Sequence, residues 1–145
     1  MTHTIQRQAA GTGNPPGKMT WLWEGMANTI SSQVIEEQGL RTIADRRTGW
    51  VNYAKRQTIR PDIRILFNQQ EWFRAMEIYG VDNVYNVATL AVDYLVQKKG
   101  YSSLFEYVRK AKTAPDGATA FSQAFGLSLD DFAGDFRSYL TELLK

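Results

Sequence analysis

The spacing of apolar residues along the chain predicts a series of amphipathic helices. Over residues 81–99 the apolar positions recur at helical intervals, and Gly100 follows a basic last turn that suits the helix dipole. That stripe consists of Val84, Val87, Ala88, Ala91, Val92, Leu95 and Val96. Residues 21–38 show the same periodicity, with Thr20 as the predicted N-cap and Gly39 as the predicted end.

Four further helices follow from cap and breaker residues. We predict helices over 69–79 and 118–125, each ended by a glycine, and a helix from Ser102 or Ser103 to about residue 112. Ser128, with two acids in the turn that follows it, is a predicted N-cap for the last helix. The buried face of that helix is expected to consist of Phe132, Phe136, Tyr139, Leu140 and Leu143.

Two parts of the chain have a weaker pattern. Residues 1–9 are compatible with the end of a helix, and the Gly/Pro-rich segment 11–17 cannot continue it. Residues 41–57 predict a helix interrupted at Gly49, and the alternation at 63–67 favours a short extended piece. The expected fold is therefore one all-α domain of six or seven helices. Its parts are 1–38, an irregular or helical connection over 39–80, and a C-terminal bundle over 81–145.

Composition and charge exclude several classes of function. The 145 residues carry 17 basic and 15 acidic side chains, and no basic stripe typical of nucleic-acid binding stands out. The arginines and lysine of the middle third favour a solvated helix face, with an acidic partner as the alternative. The lack of cysteine excludes thiolate chemistry and disulfides. No apolar run reaches the ~20 residues of a membrane span, and no signal peptide is apparent at residues 1–10.

The segment W-L-W-E-G-M-A at residues 21–27 carries the most specific chemistry. It places the Glu24 carboxylate among tryptophans and small or apolar residues, where desolvation of a charge is costly unless a positive group meets it. His3, the only histidine, precedes it with 20 residues between the two. A histidine and a glutamate on successive helices are two of the ligands that a zinc site needs.

These residues resemble the gluzincin metallopeptidases, the thermolysin-like, peptidase-MA-like zinc enzymes with an H-E-x-x-H helix. Residues 21–27 are similar to their W-L-x-E-G-x-A segment, and M-T-H-T-I-Q at residues 1–6 is similar to the end of their zinc-binding helix. The tail is similar as well, over Leu95–Gly100 and Ala120–Phe132. The resemblance covers nearly the whole chain and implies the helical C-terminal half of such a catalytic domain.

The resemblance implies roles for four residues. His3 and Glu24 would be zinc ligands, and Asn28, one helical turn after Glu24, would hold a ligand histidine by its other ring nitrogen. Asn28 stands where an aspartate is more common. Tyr85, 61 residues after Glu24, would donate a hydrogen bond to the oxyanion formed from the scissile carbonyl. The implied cofactor is zinc, the substrate a peptide or protein, and the compartment of such proteins is often extracytoplasmic.

The first histidine and the general-base glutamate of the family motif have no counterpart in these 145 residues. We therefore expect the chain by itself not to hydrolyse peptides, and to be a fragment cut within the motif. Simpler interpretations remain: His3 as a surface residue, Glu24 as a first-turn acid, and Tyr85 as a core aromatic. The four tryptophans favour packing over ligand stacking. The competing function is a non-catalytic helical module that binds a protein partner.

Overall fold

The computed structural model describes residues 15–145, and this part of the chain is all-helical. Seven α-helices and one 3₁₀ turn follow one another in it, which confirms the predicted fold class. The helices are α1 (Thr20–Glu37), α2 (Ile43–Lys55), α3 (Gln69–Tyr79), α4 (Val81–Lys99), α5 (Ser102–Ala111), α6 (Gly117–Phe125) and α7 (Leu129–Leu143), with the 3₁₀ turn at Ile63–Ile65. The predicted helix end over residues 1–9 lies outside the described residues.

Two predictions for the middle of the chain are wrong. Helix α2 runs through Gly49 without interruption, because a glycine lowers helix stability without removing a hydrogen bond. Ile63 and Ile65 belong to a 3₁₀ turn and not to an extended piece. The Asp62 side chain accepts a hydrogen bond from the Arg64 N–H and starts this turn, an effect that alternation of apolar residues does not reveal.

The predicted N-caps of α1 and α5 are also wrong, whereas that of α7 is confirmed. Thr20 is the first residue of α1, and its N–H donates to the carbonyl of Phe67 at 2.7 Å. The first-turn N–H groups of α1 thus find partners in a distant loop, and no side-chain cap is needed. Helix α5 begins at Ser102 with no side-chain cap, but the Ser128 hydroxyl accepts from the Asp131 N–H as predicted.

Helix α4 lies at the centre of the fold and packs against α1, α2, α3 and α5. The predicted apolar stripe is buried from Val84 to Leu95, and Val96 is half-buried. Polar residues of α4 are buried too, among them Asn86, Thr89 and Asp93. The candidate site is therefore built around a helix with almost no solvent-facing side over its middle turns.

An aromatic cluster joins α1 to the C-terminal helices. Trp21 is fully buried and stacks on Phe132 of α7, with 5.9 Å between ring centroids and 7° between planes. Phe121 of α6 completes the contact at 6.3 Å from Trp21. This packing fixes the start of α1, and with it the position of Glu24 one turn later.

The predicted solvated face of the basic middle third is only partly right. Arg60 donates to the carbonyl of Ala54 at 3.1 Å at the end of α2, whereas Arg64 is exposed as predicted and pairs with Asp62 at 2.8 Å. Within residues 15–145, no helix combines the length and the apolar character required to cross a membrane.

Candidate functional site

The candidate site lies where α1 crosses α4, and Gly25 allows these two helices to come close. A Cβ atom added at Gly25 would lie 2.4 Å from the carbonyl oxygen of Ala88 and 2.6 Å from a methyl group of Val92. Both distances are shorter than any ordinary van der Waals contact. Gly25 therefore sets the separation of α1 and α4, and the neighbouring Glu24 is brought to the surface of α4.

Glu24 and Tyr85 meet across this helix pair. The half-buried Tyr85 has its pKa raised above the usual value of a phenol, first by desolvation and then by the charge of the nearby Glu24. The Trp72 ring stands edge-on to that of Tyr85, with 5.0 Å between centroids, and holds it in place. At neutral pH the Tyr85 hydroxyl is thus protonated, and it lies close to Glu24.

Asn28 lies one helical turn after Glu24 on α1 and is hydrogen-bonded to α4, the helix that carries Tyr85. Its side-chain amide donates to the Thr89 hydroxyl at 2.9 Å, and that hydroxyl donates to the carbonyl of Tyr85 at 2.8 Å. Because the Asn28 NH₂ group is engaged, its carbonyl oxygen is the atom suited to accept a further N–H. The structure thus places three of the four predicted site residues, Glu24, Asn28 and Tyr85, on one helix pair.

The fourth predicted residue, His3, lies outside the described residues. Among residues 15–145 there is no group of three or more His, Asp or Glu side chains that could hold a metal ion. Glu24 is therefore the one predicted metal ligand whose surroundings can be described. It lies close to Tyr85, and Asn28 follows it by one helical turn.

Sequence reasoning missed several residues of this junction. Trp50, Asn86 and Thr89 line an open groove that also includes Asn28 and Tyr85. A signal for two of them was present, because Asn86 and Thr89 place polar side chains within an otherwise apolar, buried helix at helical spacing. Trp50 carries no comparable signal, since only the packing of α2 against α4 brings it to the groove.

No protein-family profile, curated protein or solved structure matches this chain. The geometry of the helix junction and the sequence motifs are therefore the observations that bear on function.

Proposed function

We propose that the chain is the helical C-terminal part of a zinc-dependent metallopeptidase of the gluzincin type. The observation that carries this proposal is the meeting of Glu24 and Tyr85 on the packed pair α1 and α4. The two residues are 61 positions apart in the chain. The roles that the gluzincin resemblance implies for them, metal ligand and oxyanion donor, require both to lie near the same scissile carbonyl. Their proximity is what a shared site demands.

The proposed chemistry assigns a separate task to each residue. A bound zinc ion would lower the pKa of its water and polarise the scissile carbonyl. Glu24 would serve as a ligand carboxylate, and the carbonyl oxygen of Asn28 would accept the free N–H of a ligand imidazole and fix the orientation of its ring. Tyr85 stays protonated at neutral pH, and its O–H group would donate a hydrogen bond to the developing oxyanion. His3 is the proposed imidazole ligand within the chain.

Zinc binding tests the ligand assignment directly. We expect the chain to bind zinc weakly, and His3→Ala and Glu24→Gln each to abolish the binding seen by calorimetry. Glu77→Gln, on the exposed side of α3, is the matched control and should bind like the unmodified chain. Equal zinc affinity for Glu24→Gln and Glu77→Gln would remove Glu24 from the site.

An extended chain tests the activity. With His-Glu placed before Met1, the sequence contains a full H-E-x-x-H motif, and we expect tighter zinc binding and chelator-sensitive peptide hydrolysis. In that chain Tyr85→Phe should lower kcat by about 10²-fold, as for the loss of one oxyanion donor. Tyr79→Phe is the control substitution. An extended chain that folds but neither binds zinc nor cleaves peptides would favour the helical binding module instead.

A further inference from the structure

The side chain of Thr89 lies between α1 and α4 and contacts a polar group of each helix. Its hydroxyl oxygen is 2.9 Å from the side-chain nitrogen of Asn28 on α1 and 2.8 Å from the carbonyl oxygen of Tyr85 on α4. Thr89 is buried, with 1% of its surface exposed, so its hydroxyl is held by protein groups. A hydroxyl carries one hydrogen and can donate it to only one of two neighbours.

The position of this hydrogen decides which way the amide of Asn28 points. A carbonyl can only accept, so the contact with Tyr85 takes the hydrogen of Thr89. Towards Asn28 the hydroxyl is then an acceptor, and Asn28 presents its NH₂ group to it. With the amide flipped, Thr89 would have to donate to the Asn28 oxygen, and its bond to the Tyr85 carbonyl would be lost. One hydrogen bond fewer disfavours the flipped amide by about fivefold.

The same constraint decides what Asn28 offers on its other side. The nitrogen and the oxygen of an amide group point in different directions, so an NH₂ group held by Thr89 turns the carbonyl oxygen away from it. Asn28 lines the open groove beside Tyr85 and follows Glu24 by one helical turn. An aspartate would present an acceptor oxygen in either orientation, whereas an asparagine does so in only one of the two.

We propose that Thr89 is a positioning residue that fixes the amide of Asn28, so that the carbonyl oxygen and not the NH₂ group meets an incoming N–H donor. The identity of that donor, a ligand imidazole, rests on the proposed function. The orientation of the amide rests only on the contacts of Thr89. An NH₂ group facing the imidazole N–H would leave two donors opposite each other, and the ring would lose the partner that orients it.

Hydrogen exchange of the Asn28 side-chain NH₂ group tests the orientation in the full, isotope-labelled chain without metal. The signals are assigned by their loss in Asn28→Asp. We expect exchange about fivefold slower than for the exposed Asn52, the effect of one net hydrogen bond. Thr89→Val keeps the shape of the side chain and should remove the slowing, and Thr89→Ser should retain it. Thr48→Val is the matched control, because Thr48 also donates to the carbonyl four residues earlier but is exposed.

Zinc affinity, measured by calorimetry on the same chain, tests the consequence for the site. Thr89→Val should weaken zinc binding about tenfold, as for the loss of a group that orients a metal ligand, and Thr89→Ser should restore it. In Asn28→Asp the same change should alter the affinity by about twofold or less, because both carboxylate oxygens are acceptors. A purely structural role of Thr89 would instead weaken zinc binding equally with asparagine and with aspartate at position 28.

Three results would overturn the inference: exchange of the Asn28 NH₂ group as fast as that of Asn52, unchanged exchange in Thr89→Val, or an equal effect of Thr89→Val on zinc affinity with either residue at position 28. The comparison of Asn28 with Asn52 needs no substitution and stays decisive even if Thr89→Val does not fold. A slowed, Thr89-dependent exchange in a chain without zinc affinity contradicts only the peptidase proposal. Zinc affinity with an unprotected Asn28 amide contradicts only the role of Thr89.

Discussion

The guanidinium of Arg47 on α2 is clamped to the buried carboxylate of Asp93 on α4 by two parallel hydrogen bonds. Their lengths are 2.6 Å from Nε to Oδ2 and 2.8 Å from Nη2 to Oδ1. Only 1% of the Asp93 side chain is exposed, and Gln97 donates to the same carboxylate at 2.8 Å. The hydrogen bond with Asp93 raises the pKa of Arg47 above its ordinary value. This pair holds α2, one wall of the groove, against the central helix.

Loss of Arg47 should therefore destabilise the whole fold. Arg47→Met leaves the Asp93 charge buried without its main partner, and we expect the free energy of unfolding to fall by about 3 kcal/mol. Urea denaturation of the variant measures this change. Arg41→Met, at an exposed position before α2, is the matched control and should alter the stability by less than about 0.5 kcal/mol. A similar small effect for both variants would show that the pair contributes little.

Substitution by alanine should lower the free energy of unfolding at Gly25 and raise it at Gly49. Gly25→Ala forces α1 away from the Ala88 carbonyl, and we expect a loss of about 1–3 kcal/mol in the free energy of unfolding. Gly49→Ala meets open space and should raise the stability by about 0.4–1 kcal/mol. Urea denaturation of both variants checks the prediction, and a stable Gly25→Ala protein would contradict the close approach of α1 and α4.

Neutralising Glu24 should lower the pKa of Tyr85. The negative charge of Glu24 raises that pKa, as does burial of the ring, so Glu24→Gln removes one cause and leaves the other. The measurement is an alkaline NMR titration of the Tyr85 ring carbon signals in both proteins. Glu77→Gln should leave the Tyr85 titration unchanged. An unchanged titration in Glu24→Gln would show that the charge of Glu24 does not act on Tyr85.

Tyr107 should make the fold sensitive to alkaline pH. Its buried hydroxyl accepts from the Met19 N–H and donates to the Gly17 carbonyl, each at 2.8 Å, and burial raises its pKa well above the ordinary value of 10.0. A tyrosine whose pKa is raised by folding contributes its full stabilisation below pH 10. That contribution is lost as the pH rises from 10 towards the folded pKa, because only the unfolded chain ionises there.

The variant Tyr107→Phe tests both parts of this prediction. At neutral pH we expect it to lower the free energy of unfolding by about 1–3 kcal/mol, since the Met19 N–H is left unpaired. Between pH 10 and 11 its stability should fall less steeply than that of the unmodified chain. Tyr53→Phe, on a half-buried ring of α2, is the comparison variant. Parallel pH profiles for the unmodified chain and Tyr107→Phe would refute the assignment.

The sequence by itself determined where most helices lie. Apolar periodicity and the glycines at 80, 100 and 126 gave the ends of α3, α4 and α6 to within a residue, because these signals act over a few neighbouring positions. The sequence did not predict a helix start correctly where the hydrogen-bond partners of the first turn are distant in the chain. The first turn of α1 is satisfied by the carbonyls of residues 66 and 67, so the predicted cap at Thr20 was not needed.

The motif around Glu24 also pointed to the residues that the fold brings together, but not to the way in which they meet. That Glu24 faces Tyr85, that Asn28 bonds to Thr89, and that Trp50 stands beside them depend on the packing of α1 and α2 against α4. Such contacts join positions tens of residues apart, and helical periodicity carries no information about which helices become neighbours. Only the tertiary structure decides them, through the close approach at Gly25 and the buried pair of Arg47 and Asp93.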